Sequence, residues 1–224
     1  MLLAALALHA CGAAPPDWPQ RRVALMSALP LYWGEAGPDA ILNGNDQRAP
    51  LVPLLEQHHR LTPVDVLDRT ALSRVDLVVL AQPRILQAEE LVALDDWVRG
   101  GGHALIFADP ELVWESGLPL GDPRRAPPVT LLDPLLTHWG LTLEPDDSGA
   151  AVPAEGYSLS VARRGRWRAK TPGCTVEADA LLAHCTLGKG RATLVADADA
   201  LNLEVITATD QPLALLALID RAAR

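Results

Sequence analysis

Residues 76–109 read DLVVLAQPRILQAEELVALDDWVRGGGHALIFAD, and the fold turns on how this stretch is parsed. It opens on a short unbroken apolar run, Leu77–Ala81, followed by turn chemistry at Gln82-Pro83. A helical pattern comes next, with Leu91, Leu94, Trp97 and Val98 on one face. Gly100-Gly101-Gly102 ends that pattern, because glycine reaches the positive φ angles that close a helix and turn the chain back. A second apolar run, Ala104–Ala108, then stops at Asp109-Pro110. Two short apolar runs flanking about three turns of helix predict a βαβ unit in a parallel sheet covered on both faces. Glu89 and Glu90 in the first turn and Arg99 in the last complement the helix dipole.

Working outward, the chain repeats the alternation. Val23–Leu29 predicts a first buried strand. Arg48–His59 predicts a helix, with Pro50 and Pro53 in its first turns, and Leu61–Leu67 predicts a strand that Pro63 confines to an edge. Beyond Asp109 lies a Pro/Gly-rich loop of about twenty residues, a length that in compact domains is often functional. Leu131–Trp139 reads as a helix and Leu141–Glu144 as a strand. Asp146–Gly156 reads as a polar linker, and Tyr157–Ala162 with Trp167–Lys170 as a hairpin turning at Arg163-Arg164-Gly165. An apolar strand, Arg191–Ala196, ends in Asp197-Ala198-Asp199, and Gln211–Arg224 closes the chain as an amphipathic helix. The pattern predicts an α/β fold, a flavodoxin-like doubly wound, mostly parallel sheet with added antiparallel hairpin strands and order near 2-1-3-4 in its first half.

The 224 residues, 49% hydrophobic, suffice for a full core. A net charge of −9 argues against nucleic acid and against an anionic membrane surface as partner. Six Trp, two Tyr and one Phe are few for an extended carbohydrate-stacking surface.

The N-terminus carries a separate signal. MLLAALALHAC is an apolar run ending at Cys11, followed by the tether Gly12-Ala13-Ala14-Pro15-Pro16. This reads as a bacterial lipoprotein signal with Cys11 as the lipidated residue, although no Lys or Arg precedes the apolar run and His9 is unusual there. Residues 1–20 are expected to be signal and tether. Localisation is then periplasmic or membrane-anchored, with a cytoplasmic protein as the alternative. Cys174 and Cys185 flank two strands with a turn near Glu177–Ala180, and centring the pairing between 179 and 180 places the two cysteines opposite each other. A cross-strand disulfide is geometrically allowed there. The cysteine and histidine spacings suggest no zinc.

Three stretches together, 77–110, 131–145 (LLDPLLTHWGLTLEP) and 187–202 (LGKGRATLVADADALN), resemble the auxiliary domain of ABC-type uncharacterized transport systems. That family includes gliding-motility proteins and is related to class I glutamine amidotransferases. The resemblance implies a single amidotransferase-like α/β domain over residues 21–224. It also implies a non-catalytic accessory role at a membrane transport or envelope complex, with transporter permease and ATPase as candidate partners. No cofactor is expected, because no Gly-x-Gly-x-x-Gly follows the first strand and Gly188-Lys189-Gly190-Arg191 lacks the rest of a Walker loop. Amidotransferases need a Cys on a sharp strand-to-helix turn. Here the corresponding strand end reads Phe107-Ala108-Asp109-Pro110-Glu111, without Cys or Ser.

Ligands of open parallel sheets bind at the carboxyl ends of the strands. The residues predicted there are Tyr32, Trp33 and Glu35 after the first strand, Gln82 after the third, and Asp109 and Glu111 after the fourth. Asp197, Asp199 and Asn202 follow the last. Converging carboxylates could hold a small molecule or do hydrolytic acid–base work. The alternative is that Asp109 and Asp199 cap turns and helices. Arg163, Arg164, Arg166, Arg168 and Lys170 form a basic cluster, expected on a solvated hairpin face, and His58-His59 are expected to meet the last carbonyls of their helix.

Overall fold

The computed structural model describes residues 18–36, 39, 42–44, 47–146, 148 and 151–224. The lipobox reading and Cys11 lie outside the described residues. Among the described residues the chain runs β1 (Arg22–Ser27), α1 (Leu51–His58), β2 (Arg60–Pro63), α2 (Arg69–Leu72), β3 (Leu77–Ala81), α3 (Ala88–Arg99) and β4 (His103–Phe107). Then follow α4 (Asp133–Trp139), β5 (Leu141–Pro145), β6 (Ala151–Ala154), β7 (Tyr157–Ser160) and β8 (Gly165–Ala169). Last come β9 (Cys174–Glu177), β10 (Leu182–Leu187), β11 (Gly190–Val195), a 3-10 turn at Asp199–Leu201 and α5 (Gln211–Ala222).

The main sheet has the order β2-β1-β3-β4-β11-β10-β9. It is parallel from β2 to β11, and β10 and β9 add antiparallel to the end. This is the predicted doubly wound α/β fold, including the order 2-1-3-4. Every residue of β3 is buried, as an unbroken apolar run between two layers requires. α1 packs on α5 and α2 on α3, and right-handed crossovers place these pairs on opposite faces. α3 starts with a capping box in which Gln87 and Glu90 exchange bonds, and it buries Glu90, Leu94 and Val98. Pro63 sits at the outer edge of the sheet, where a missing N–H costs nothing.

The late segment departs from expectation. β5 does not join the main sheet; it pairs antiparallel with β8. Tyr157–Ala162 and Trp167–Lys170 do not form a hairpin with each other. The supposed linker contains β6, which pairs with β7 across Glu155-Gly156. Both turn residues have positive φ, 54° and 83°, the requirement of a two-residue hairpin turn that matches strand twist. The cysteine hairpin has the expected register: Cys185 opposes Cys174, and the two form a disulfide. Its turn holds Ala178, Asp179 and Ala180 all at positive φ.

Two smaller expectations are corrected. Arg164 is buried rather than solvated, with its Nη2 on Ser148 Oγ at 2.7 Å and Asp146 at 3.3 Å. Its neighbours Arg163 and Arg168 pair with Glu111 and Glu144. His59 does not reach the helix carbonyls through its ring. It is buried with neither ring nitrogen hydrogen-bonded, because its backbone turns into β2 one residue after the helix ends.

Candidate functional site

The carboxyl ends of β1, β3, β4 and β11 lie side by side, and connections from β1 and β3 leave in opposite directions. That divergence opens a crevice. A cleft of about 300 Å³ occupies it. Its apolar lining includes Met26, Leu29, Val64 and Leu112, with Trp33 and Trp114 contributing two indoles. Glu35, Asp65, Ser116, Arg84, Arg124 and Arg125 supply the polar lining.

Most of these charges are already partnered. The Arg84 guanidinium forks onto the Glu90 carboxylate at 2.8 and 2.9 Å and also bonds Asp65 O. Those bonds, with the N–H groups of Gln87 and Leu67 at 2.8 and 3.1 Å, hold the Glu90 carboxyl down at about 2. Arg124 grips Asp122 and donates to Glu35 O. Glu35 Oε2 accepts from Gly117 N at 3.0 Å, tying the loop after β1 to the long loop after β4. Arg125 donates through Nη1 to Leu118 O at 2.9 Å. The cleft therefore offers aromatic surface, the carboxylates of Glu35 and Asp65 and the guanidinium of Arg125, with charges of both signs.

The structure divides the predicted residues into two groups. Trp33 and Glu35 line the cleft. Gln82, Asp109, Asp197 and Asp199 are buried just behind it and bond to backbone. Asp109 accepts from Glu111 N at 2.8 Å and Ala198 N at 2.9 Å. Asp197 accepts from Ala200 N at 2.6 Å and Ala162 N at 2.8 Å, and Asp199 accepts from Val113 N at 2.9 Å. Gln82, held at a φ of 42°, accepts from Asp109 N and donates to Pro127 O at 3.0 Å. A residue outside glycine at that angle stores strain, which these two loop contacts offset. Asn202 takes Glu204 N at 3.3 Å, and Glu111 pairs with Arg163.

Burial is the main cause that raises all three aspartates. Asp197, with Asp109 beside it, is pushed up to about 8, and Asp199 to about 6. Asp109 is raised despite its backbone bonds. Removing a carboxylate from water favours its neutral form, and a like charge nearby adds to that. Among the described residues no group of three or more His, Cys, Asp or Glu is arranged to hold a metal ion.

Sequence reading missed Arg84, Arg124, Arg125 and Trp114 as lining. The available signal was the long Pro/Gly-rich loop, which supplies the last three. It also missed Gln211, buried at the start of α5, whose amide bonds Ser160 N, Ser160 O and Ala200 O.

Comparison with solved structures agrees with the topology. The chain superposes on an exo-β-1,4-mannosidase from Opitutaceae bacterium strain TAV5 with a TM-score of 0.52 and 17% identity, covering 92% of this chain and 36% of the mannosidase. It thus spans little more than a third of that enzyme. Two cytoplasmic proteins from Salmonella typhimurium also match. One, of strain LT2, does so at TM-score 0.53 and 13% identity, covering 78% of this chain and 86% of its own. The other matches at 0.52 and 11%, covering 88% and 98%. At these identities the likeness is one of fold. No curated protein matches the sequence. The sequence profile of the ABC-type uncharacterized transport system family matches residues 20–168, from the start of the sheet into β8, and the chain belongs to that family.

Proposed function

We propose that this chain is a non-catalytic accessory domain of an ABC-type transport system, working outside the cytoplasm. The observation that carries this reading is the family match over residues 20–168. Three features support it. The cross-strand disulfide suits an oxidising compartment, and the N-terminal stretch ending at Cys11 suits export and lipid anchoring. The strand end that would carry a nucleophile in an amidotransferase-like domain carries Asp109 instead, whose oxygens are committed to backbone N–H groups. No helix among the described residues is long and apolar enough to cross a membrane, so membrane attachment in this reading runs through Cys11.

The test is expression with the native N-terminus alongside the ATP-binding and permease subunits of the transport system encoded in the same genome. Lipidated protein in the envelope fraction, co-purifying with the permease and altering its ATPase rate, is the expected result. Unprocessed cytosolic protein with free Cys174 and Cys185 and no effect on the transporter would overturn the reading.

A second reading, a small-molecule-binding protein, is favoured by the switch-point cleft with its two indoles. Its ligand would quench or shift Trp33 and Trp114 fluorescence, and Trp33→Ala would abolish that response. Absence of any response across a panel of saccharides, amino acids and metal ions would remove it.

A further inference from the structure

The two faces of the sheet are covered unequally. On one, α1 and α5 have eight and twelve residues; on the other, α3 has twelve but its neighbour α2 has four. A parallel crossover of this kind normally carries a helix long enough to lie along the sheet. The single turn of α2 covers only part of one flank of α3.

Exposed apolar side chains collect on that flank. Val66 is 53% exposed, Ile85 61% and Val92 59%, and Ala88 is exposed beside them. Two shallow hollows of about 500 and 490 Å³ meet at Val66, Glu89 and Glu90, making one groove along the first turns of α3. Large side chains grouped this way on a water-soluble face mark an interaction site. The charged groups around the groove are four carboxylates, Asp68, Glu89, Glu90 and Asp96, against two guanidiniums. Arg84 is locked on Glu90, and Arg69 lies 3.8 Å from Asp96. Asp68 caps α2 through Ala71 N, and Glu89 is exposed. The rim is net acidic.

We propose that this groove docks an amphipathic helix of a partner protein that carries Lys or Arg beside its apolar stripe. Such a helix takes the place in the layer that a full-length crossover helix would fill, with its apolar side chains on Val66, Ile85 and Val92 and its cations toward Glu89 and Asp68. A second copy of this chain is the poorer fit, because its net charge is −9 and it would bring the same acidic rim.

The probe is a Leu/Lys amphipathic helical peptide of about five turns, with a Leu/Glu counterpart, titrated into the full chain by fluorescence anisotropy and amide chemical shifts. The expected result is saturable binding of the Leu/Lys peptide with shifts confined to residues 66–69 and 85–93. The Leu/Glu peptide should bind at least about tenfold more weakly. Val92→Asp adds a negative charge, so general attraction of a cationic peptide to an acidic protein would strengthen. Insertion into the groove should instead weaken about tenfold, and Val66→Asp should repeat the effect. Both positions are exposed, so the fold tolerates the change, and thermal unfolding checks it. Binding of the Val92→Asp and Val66→Asp variants at or above the unmodified level would overturn the proposal. So would shifts centred elsewhere, or a dimer of the unmodified chain that Val92→Asp dissociates.

Discussion

Replacing Asp197 by Asn separates a carboxyl held protonated by burial from one that is ionised and merely paired. The side chain is fully buried, accepts two backbone N–H groups and has Asp109 beside it, and its carboxyl is pushed up to about 8 from 3.8. The folded protein therefore keeps a proton that the unfolded chain has released. The resulting stabilisation is full below about pH 3.8, declines as pH rises and is gone past about pH 8. His59 and His184 act in the opposite sense, since burial lowers both; their contribution grows with pH but ends near 6.5, the unfolded value. Asp199, at about 6, has released most of its proton by then. Between about pH 6.5 and 8 a pKa of about 8 at Asp197 makes the fold weaker by roughly 1.5 kcal/mol, and Asp109, also raised by burial, acts in the same sense. For a chain of this size that is a fall in Tm of about 3–6 °C, read by scanning calorimetry. In Asp197→Asn the amide oxygen can accept from only one of Ala162 N and Ala200 N, which costs about 1–3 kcal/mol at every pH. The variant should thus start lower and lose the part of the fall that Asp197 supplies from pH 6.5 to 8. A Tm of the unmodified protein that is level or rises over this window refutes the reasoning, as does a variant that keeps the whole fall.

Opening the Cys174–Cys185 bridge with reductant, or by Cys185→Ser, should cost about 3 kcal/mol for a sequence separation of 11, measured as a lower urea midpoint. Glu90→Ala leaves Arg84 and the N–H groups of Leu67 and Gln87 without their shared acceptor, so a loss of about 3 kcal/mol is expected at pH 7. Because the Glu90 carboxyl is held at about 2, the unmodified chain should lose this contribution as pH falls from about 4.5 toward 2, and the variant should not. Gly190→Ala drives a Cβ into Val98 O and Gly102 O, where α3 meets β11. It should yield little folded protein by near-UV circular dichroism, whereas Ala at the open Gly156 retains the fold apart from the strain of its φ of 83°.

The parallel half of the fold was readable because its signals are local. Leu77–Ala81 is buried on both sides and so is apolar throughout, and α3 is bounded by acids at one end and glycines at the other. The cysteine hairpin was readable for a similar reason, since one turn sets its register. β5 and β8 were misread because they pair with each other across a long stretch of chain, and the local β6–β7 hairpin was missed because its strands lie partly in a polar segment that reads as linker. Arg164 looks like a surface residue in sequence, and only the enclosure by Asp146, Ser148 and Asp179 makes it buried. The cleft lining was half readable. Strand-end position identified Trp33 and Glu35, but Arg84, Arg124 and Arg125 arrive from turns and loops whose paths no periodicity encodes.

The aspartates at the strand ends look in sequence like a site and act in the structure as fasteners. Asp109 holds the end of β11, Asp199 holds the loop after β4, and Asp197 holds the segment that leads into β8. An ionised carboxylate facing a ligand would need water or a cation, and these are enclosed with backbone donors instead. Their effect on the cleft is indirect but physical. With Gln82 they set the path of residues 110–130, and that loop brings Trp114, Arg124 and Arg125 against Trp33 and Glu35. A protein that needed only to cap its strand ends could do so with backbone alone. Three buried acids and a strained glutamine fix one loop in one place.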